Sequence, residues 1–133
     1  MKTQTVQKFF SVVLLSLVFI LCQSARVADL QIEIQVSPNV LNLLSQSEVV
    51  TVHTDIAYGL VDAHSVYLNG VLINSWKADD QGNFVAKFLS GAIKGLPLTI
   101  GGYNTLVLTG STIEGESFFG SDEIKVVKNI PRK

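Results

Sequence analysis

The chain has 133 residues, which suits one domain, and its formal net charge is -1. Ten basic residues against eleven acidic ones give no cationic stripe to neutralise phosphates, which excludes a nucleic-acid partner. The one cysteine, Cys22, lies near the N-terminus, so the remainder holds no disulfide, thiolate nucleophile or cysteine-ligated metal.

Residues 1–24 read as a secretory signal peptide. Lys2 and Lys8 supply the positive n-region, and Phe9 to Leu21 is an apolar run interrupted only by Ser11 and Ser16. As a helix that run spans roughly 20 Å, short of the roughly 30 Å needed to cross a bilayer core. Cys22 and Ser24 place small residues where a peptidase cutting after Ser24 reads them. A lipoprotein acylated at Cys22 is the weaker alternative, because Leu21 stands where such signals want a small residue. Removing the leader takes two lysines and no acid; eight basic and eleven acidic residues remain, a charge near -3. The expectation is an exported chain, periplasmic, extracellular or at the cell surface, with no transmembrane span once processed.

From Asp29 onward the hydrophobic period is two. Leu30 to Val36 alternates apolar and polar, which predicts a half-buried strand with Leu30, Ile32, Ile34 and Val36 inward. Ser37-Pro38-Asn39 breaks it, and Val40 to Leu44 is a second short strand. Glu48 to Ala57 follows, with Val50, Val52, Thr54 and Ile56 on one face and Thr51, His53 and Asp55 on the other. A loop over Tyr58–Ala63 leads to Ser65–Leu68, and Asn69-Gly70 is the strongest short hairpin signal in the chain. Val71 to Trp76 returns from that turn as one strand. Asp79 to Asn83 is a polar turn with Gly82 at a positive-φ position, before a strand with Phe84, Ala86 and Phe88 inward. Ser90 to Ile93 forms a short helical turn in the least regular stretch. Tyr103 to Thr109 and Glu116 to Lys128 are the closing strands, the latter bulged at Gly120. Asn129 to Lys133 is a polar tail. Roughly seven to nine short strands at this spacing, without a convincing helix, predict an all-β, antiparallel two-sheet sandwich over residues 29–128.

Several of these segments are similar to a known pattern. Ser37-Pro38-Asn39-Val40-Leu41-Asn42-Leu43, then Ser65-Val66-Tyr67-Leu68-Asn69-Gly70, then Phe84-Val85-Ala86-Lys87-Phe88 recur in order. Leu106-Val107-Leu108-Thr109-Gly110 and Gly115 to Val126 complete the set. Together they resemble an immunoglobulin-like module of bacterial and archaeal secreted and surface proteins, over most of residues 36–128. The resemblance implies an immunoglobulin-like sandwich and, because it rests on turn and core positions, speaks to fold more than to function. Such modules often carry an acidic calcium-binding loop, where this chain has only Asp79, Asp80 and Asn83 as metal candidates. Calcium wants six to eight oxygens, so a plain turn is the better reading there.

Catalytic patterns are missing from the sequence. His53 lacks a serine in a strained elbow, two histidines without cysteines fall short of a zinc pattern, and Gly101-Gly102 lacks the lysine and helix of a phosphate cradle. The expectation is a non-enzyme. Trp76, Tyr58 and Tyr103 are the candidates for stacking a glycan or other ligand, with Tyr67 a further aromatic. Phe118 and Phe119 are the candidates for a protein contact, since alternation sends one of them outward. A protein partner or self-assembly is expected, through the Phe pair or an edge strand; a small carbohydrate-binding module, calcium-assisted or not, is the alternative.

Overall fold

The computed structural model describes residues 29–130, so the expected leader over residues 1–24, Cys22 included, and the last three residues lie outside it. The strands are β1 (Leu30–Gln31), β2 (Ile34–Ser37), β3 (Val40–Asn42), β4 (Val49–Ala57), β5 (Val61–Leu68), β6 (Val71–Leu72), β7 (Ser75–Ala78), β8 (Asn83–Leu89), β9 (Tyr103–Thr112) and β10 (Ser117–Val127). A 3-10 turn at Tyr58–Leu60 and one short helix, α1 (Ser90–Lys94), complete the set. The larger sheet runs β1-β10-β9-β5-β6, with β3 also on β10; the smaller runs β2-β4-β8-β7. The chain is thus an all-β sandwich of two mostly antiparallel sheets, β1 and β3 alone running parallel to their partner. No helix among the described residues is long and apolar enough to cross a membrane.

Alternation builds the core. Val36, Val50, Val52, Phe84, Ala86 and Phe88 from the smaller sheet meet Val66, Leu68, Leu106, Leu108, Phe118, Ile124 and Val126 from the larger, all buried. Burying a side chain of this size contributes about 1.5–3 kcal/mol each relative to exposure. Thr54 sits among them with its hydroxyl donating to the Phe84 carbonyl at 2.6 Å, which satisfies the buried oxygen. Ile93 of α1 closes one end of the core, and Leu96 and Leu98 pack beside it.

Two predicted strands divide where the chain changes sheets. Residues 30–37 begin beside β10 in the larger sheet and finish beside β4 in the smaller. Leu30, expected inward, is consequently 38% exposed at the sheet margin. Ile32 donates its N–H to the Phe119 carbonyl at 2.8 Å, and Val36 donates to Asp122 Oδ2 at 2.8 Å, both on β10. The intervening Glu33 bonds the other way, to Asp55 of β4. On the opposite flank residues 71–78 do the same: β6 lies in the larger sheet and β7 in the smaller. Asn69 at φ 46 and Gly70 at φ 82 make the tight turn between β5 and β6. Tyr58–Ala63, expected as a loop, is the 3-10 turn plus the start of β5.

The expected bulge at Gly120 is absent. Pairing of β10 with β9 runs without a break from Ser117↔Ser111 to Lys125↔Tyr103. Gly120 instead answers a steric demand: a Cβ there would lie 2.7 Å from the Ile32 carbonyl and 2.8 Å from Ile34 Cγ2. The same logic holds for Gly110, whose Cβ would lie 2.5 Å from the Phe118 ring that covers it.

We predict that Gly120→Ala lowers stability by about 1–3 kcal/mol, since the colliding group is backbone and cannot swing away. Ser90 makes the contrast: fully buried with its Oγ unpartnered. Ser90→Ala removes an unpaired hydroxyl and should leave stability unchanged or raise it by up to about 1 kcal/mol. Urea unfolding of both variants checks the pair; an unaffected Gly120→Ala would show that strand 30–37 is not held against β10.

Candidate functional site

Cross-strand register decides which outward side chains meet. On the outer face of the smaller sheet the rows are Gln35·His53·Val85·Lys77 and Ser37·Thr51·Lys87·Ser75. That is a water-facing pattern, with the one apolar member, Val85, enclosed between His53 and Lys77.

The outer face of the larger sheet differs. Its central row is Gln31·Phe119·Thr109·Tyr67·Leu72. Phe119 is 36% exposed, Tyr67 40% and Leu72 55%. The next row adds Val107 beside Ser121, and the far end of the face carries Val40, Lys125 and Tyr103 in register. Neighbouring members of a row stand about 4.8 Å apart, so these side chains adjoin. Along β10 the outward charges are Glu123 and Lys125, of opposite sign and two residues apart. An exposed apolar row on an otherwise solvated antiparallel sheet is the feature that singles this face out.

Phe118 and Phe119 divide as alternation requires. Phe118 is buried at 2% exposure over Gly110 and belongs to the core, and Phe119 takes the outer face. Leu72 and Val107 were not singled out from sequence, because only the register shows that they join Phe119 and Tyr67.

The ligand-stacking candidates do not share a surface. Tyr58 stacks on Phe84, centroids 6.1 Å apart, at the sandwich end where Ile113 bonds Leu60. Tyr103 begins β9, nine residues before the Thr112 that ends it, so it lies roughly 30 Å away at the opposite end. Trp76 is half-buried against the core, its ring edge-on to His64 at 5.1 Å, and so fills the flank between the sheets. His53 stands on the polar outer face of the smaller sheet.

The metal candidates sit in the β7–β8 turn. Asp79 Oδ1 accepts the backbone N–H groups of Gln81 and Asn83, each at 2.9 Å, and Gly82 takes φ 81. The carboxylate thereby organises the turn. Among the described residues no group of three or more His, Cys, Asp or Glu is placed to hold a metal ion.

No protein-family model matches the chain, nor does any curated protein or solved structure at a significant level.

If Asp79 serves the turn, its shape matters more than its charge. Asp79→Asn should keep stability within about 0.5 kcal/mol, while Asp79→Ala should lose about 1 kcal/mol, with addition of calcium changing neither. Thermal unfolding with and without calcium measures this; a calcium-dependent rise in the parent protein that is lost in Asp79→Asn would reverse the assignment.

Proposed function

We propose that this chain is an exported, non-catalytic, immunoglobulin-like module that acts by associating with protein through the outer face of its larger sheet. Strand order supports the immunoglobulin-like part. The order β2-β4-β8-β7 against β6-β5-β9-β10 follows the A-B-E-D and C′-C-F-G arrangement of that plan. The leader-like segment over residues 1–24 supports export.

The observation that carries the association is the row Phe119·Thr109·Tyr67·Leu72 on a face with little charge. Aromatic side chains supply large contact area at low entropic cost, and charged residues are sparse at interface centres. Edge pairing is less available than the face. The outer edge of β10 is occupied by β1 and β3, β6 is two residues long, and β7 carries a lysine in its four. A glycan site would need Trp76, Tyr58 and Tyr103 to converge, and they are spread over a flank and two ends.

Phe119→Ser combined with Tyr67→Ser should abolish co-purification of partner or formation of self-complexes, with circular dichroism and melting temperature preserved. Serine already occupies the outward positions on either side of Phe119, at Ser117 and Ser121, so the strand tolerates it. Complexes of unchanged composition in this double variant would refute the assignment of the face.

A further inference from the structure

We propose that Asn69 is a site of spontaneous covalent modification that the fold holds closed. In sequence it precedes Gly70, whose missing Cβ leaves the following backbone nitrogen unhindered, and nothing lies within 4 Å of where that Cβ would be. The Gly70 nitrogen attacks the side-chain carbonyl carbon of Asn69. The bond from that carbon to Nδ2 breaks, and ammonia leaves with the proton given up by Gly70. Water then opens the cyclic imide at either carbonyl, yielding aspartate or isoaspartate.

The gate is a set of three hydrogen bonds to β9. Asn69 Oδ1 accepts the Val107 N–H at 2.7 Å, Nδ2 donates to the Thr105 carbonyl at 3.3 Å, and the Asn69 N–H donates to the Val107 carbonyl at 3.0 Å. The side chain thus pairs with β9 as a strand residue would. To meet the Gly70 nitrogen its amide must turn off β9, which breaks both side-chain bonds. Conversion therefore proceeds through the locally opened turn, whose population the pairing suppresses.

The product acts on the candidate face. Isoaspartate puts an extra methylene into the main chain of the turn that sets Tyr67 opposite Leu72 and Leu68 opposite Val71. That register fails, and Leu72 leaves its place beside Tyr67, which the β5–β9 pairing still holds opposite Thr109. This consequence rests on the face being a contact surface; the chemistry does not.

The test is peptide mass mapping of protein purified from cells expressing the full chain, aged in mildly alkaline buffer with and without urea. Exchange of ammonia for water at Asn69 should be slower in the folded protein by about tenfold or more. In urea Asn69 should also outpace Asn74, which precedes the bulkier Ser75. Equal folded and unfolded rates, or no conversion in urea, overturn the proposal. A second arm separates the aged folded protein by charge and assays each fraction for association. Loss confined to the converted fraction supports the consequence, and equal association of both fractions overturns it. Absence of association in the unconverted fraction would refute the contact face while leaving the chemistry to stand on the mass data.

Discussion

The sandwich depends on how closely one extended segment approaches one glycine. Residues 30–37 lie along the flank of the two sheets, with Ile32 bonded to Phe119 of β10 and Glu33 bonded to Asp55 of β4. A strand can serve two sheets in this way only if it sits in the crease between them, and the crease is roomy enough only because Gly120 has no side chain. Asp122 completes the join. Its Oδ2 accepts from Val36 on β2 and its Oδ1 accepts from Glu123 on β10, so one carboxylate ties both sheets. Hydrogen bonds to a charged acceptor are the stronger kind, and these two satisfy N–H groups that a regular ladder leaves unpaired between β1 and β3.

The opposite flank is closed by the same device with different chemistry. There the chain passes from β6 to β7 through Ile73 and Asn74, which bond to Val66 in one sheet and Lys87 in the other. Strands that change sheets make the corners of a sandwich. Here aromatic packing, Trp76 against His64, fills the gap that the first flank closes by backbone proximity. With both flanks spanned by chain, the surfaces left exposed among the described residues are the outer faces and the two ends, where Leu60 and Ile113 also stand open. Donation of strand 30–37 to a neighbour would break its bonds to both sheets at once, which weighs against that route and for the face.

Much of this was legible in the sequence, because period-two burial is a local property. The alternation in Val50 to Ile56 and in Phe84 to Phe88 placed every inward residue of β4 and β8, Gly82 marked the turn into β8, and Asn69-Gly70 marked the turn between β5 and β6. The sheet changes were not legible. Leu30 to Val36 keeps an even pattern across its switch, since a strand moving from one sheet to the other still presents one side to the common core. In Val71 to Trp76 the inward positions instead pass from Val71 and Ile73 to Trp76, a shift of parity that the pairing reveals. Gly120 was misread for a related reason. A glycine in a strand signals either a bulge or a close neighbour, and the neighbour, Ile32, is eighty-eight positions away in sequence. The apolar face escaped for want of register: Phe119, Tyr67 and Leu72 come from three strands, and no one of them is unusual alone.

Phe118, Phe119 and Gly120 show how far fold and role can be separated. Phe118 must be large, because its ring roofs Gly110 and fills the core. Gly120 must be small, because Ile32 rests on it. Phe119, between them, answers to neither demand. Its side chain faces away from both sheets' interior, its cross-strand neighbour is Thr109, and serine stands at the equivalent outward position two residues before and two after. Strand propensity alone would be served by threonine, as it is at Thr105 and Thr109. An exposed phenylalanine that packing does not require, set in line with Tyr67 and Leu72, is therefore a feature of the surface, and that surface is the one the proposed association would use.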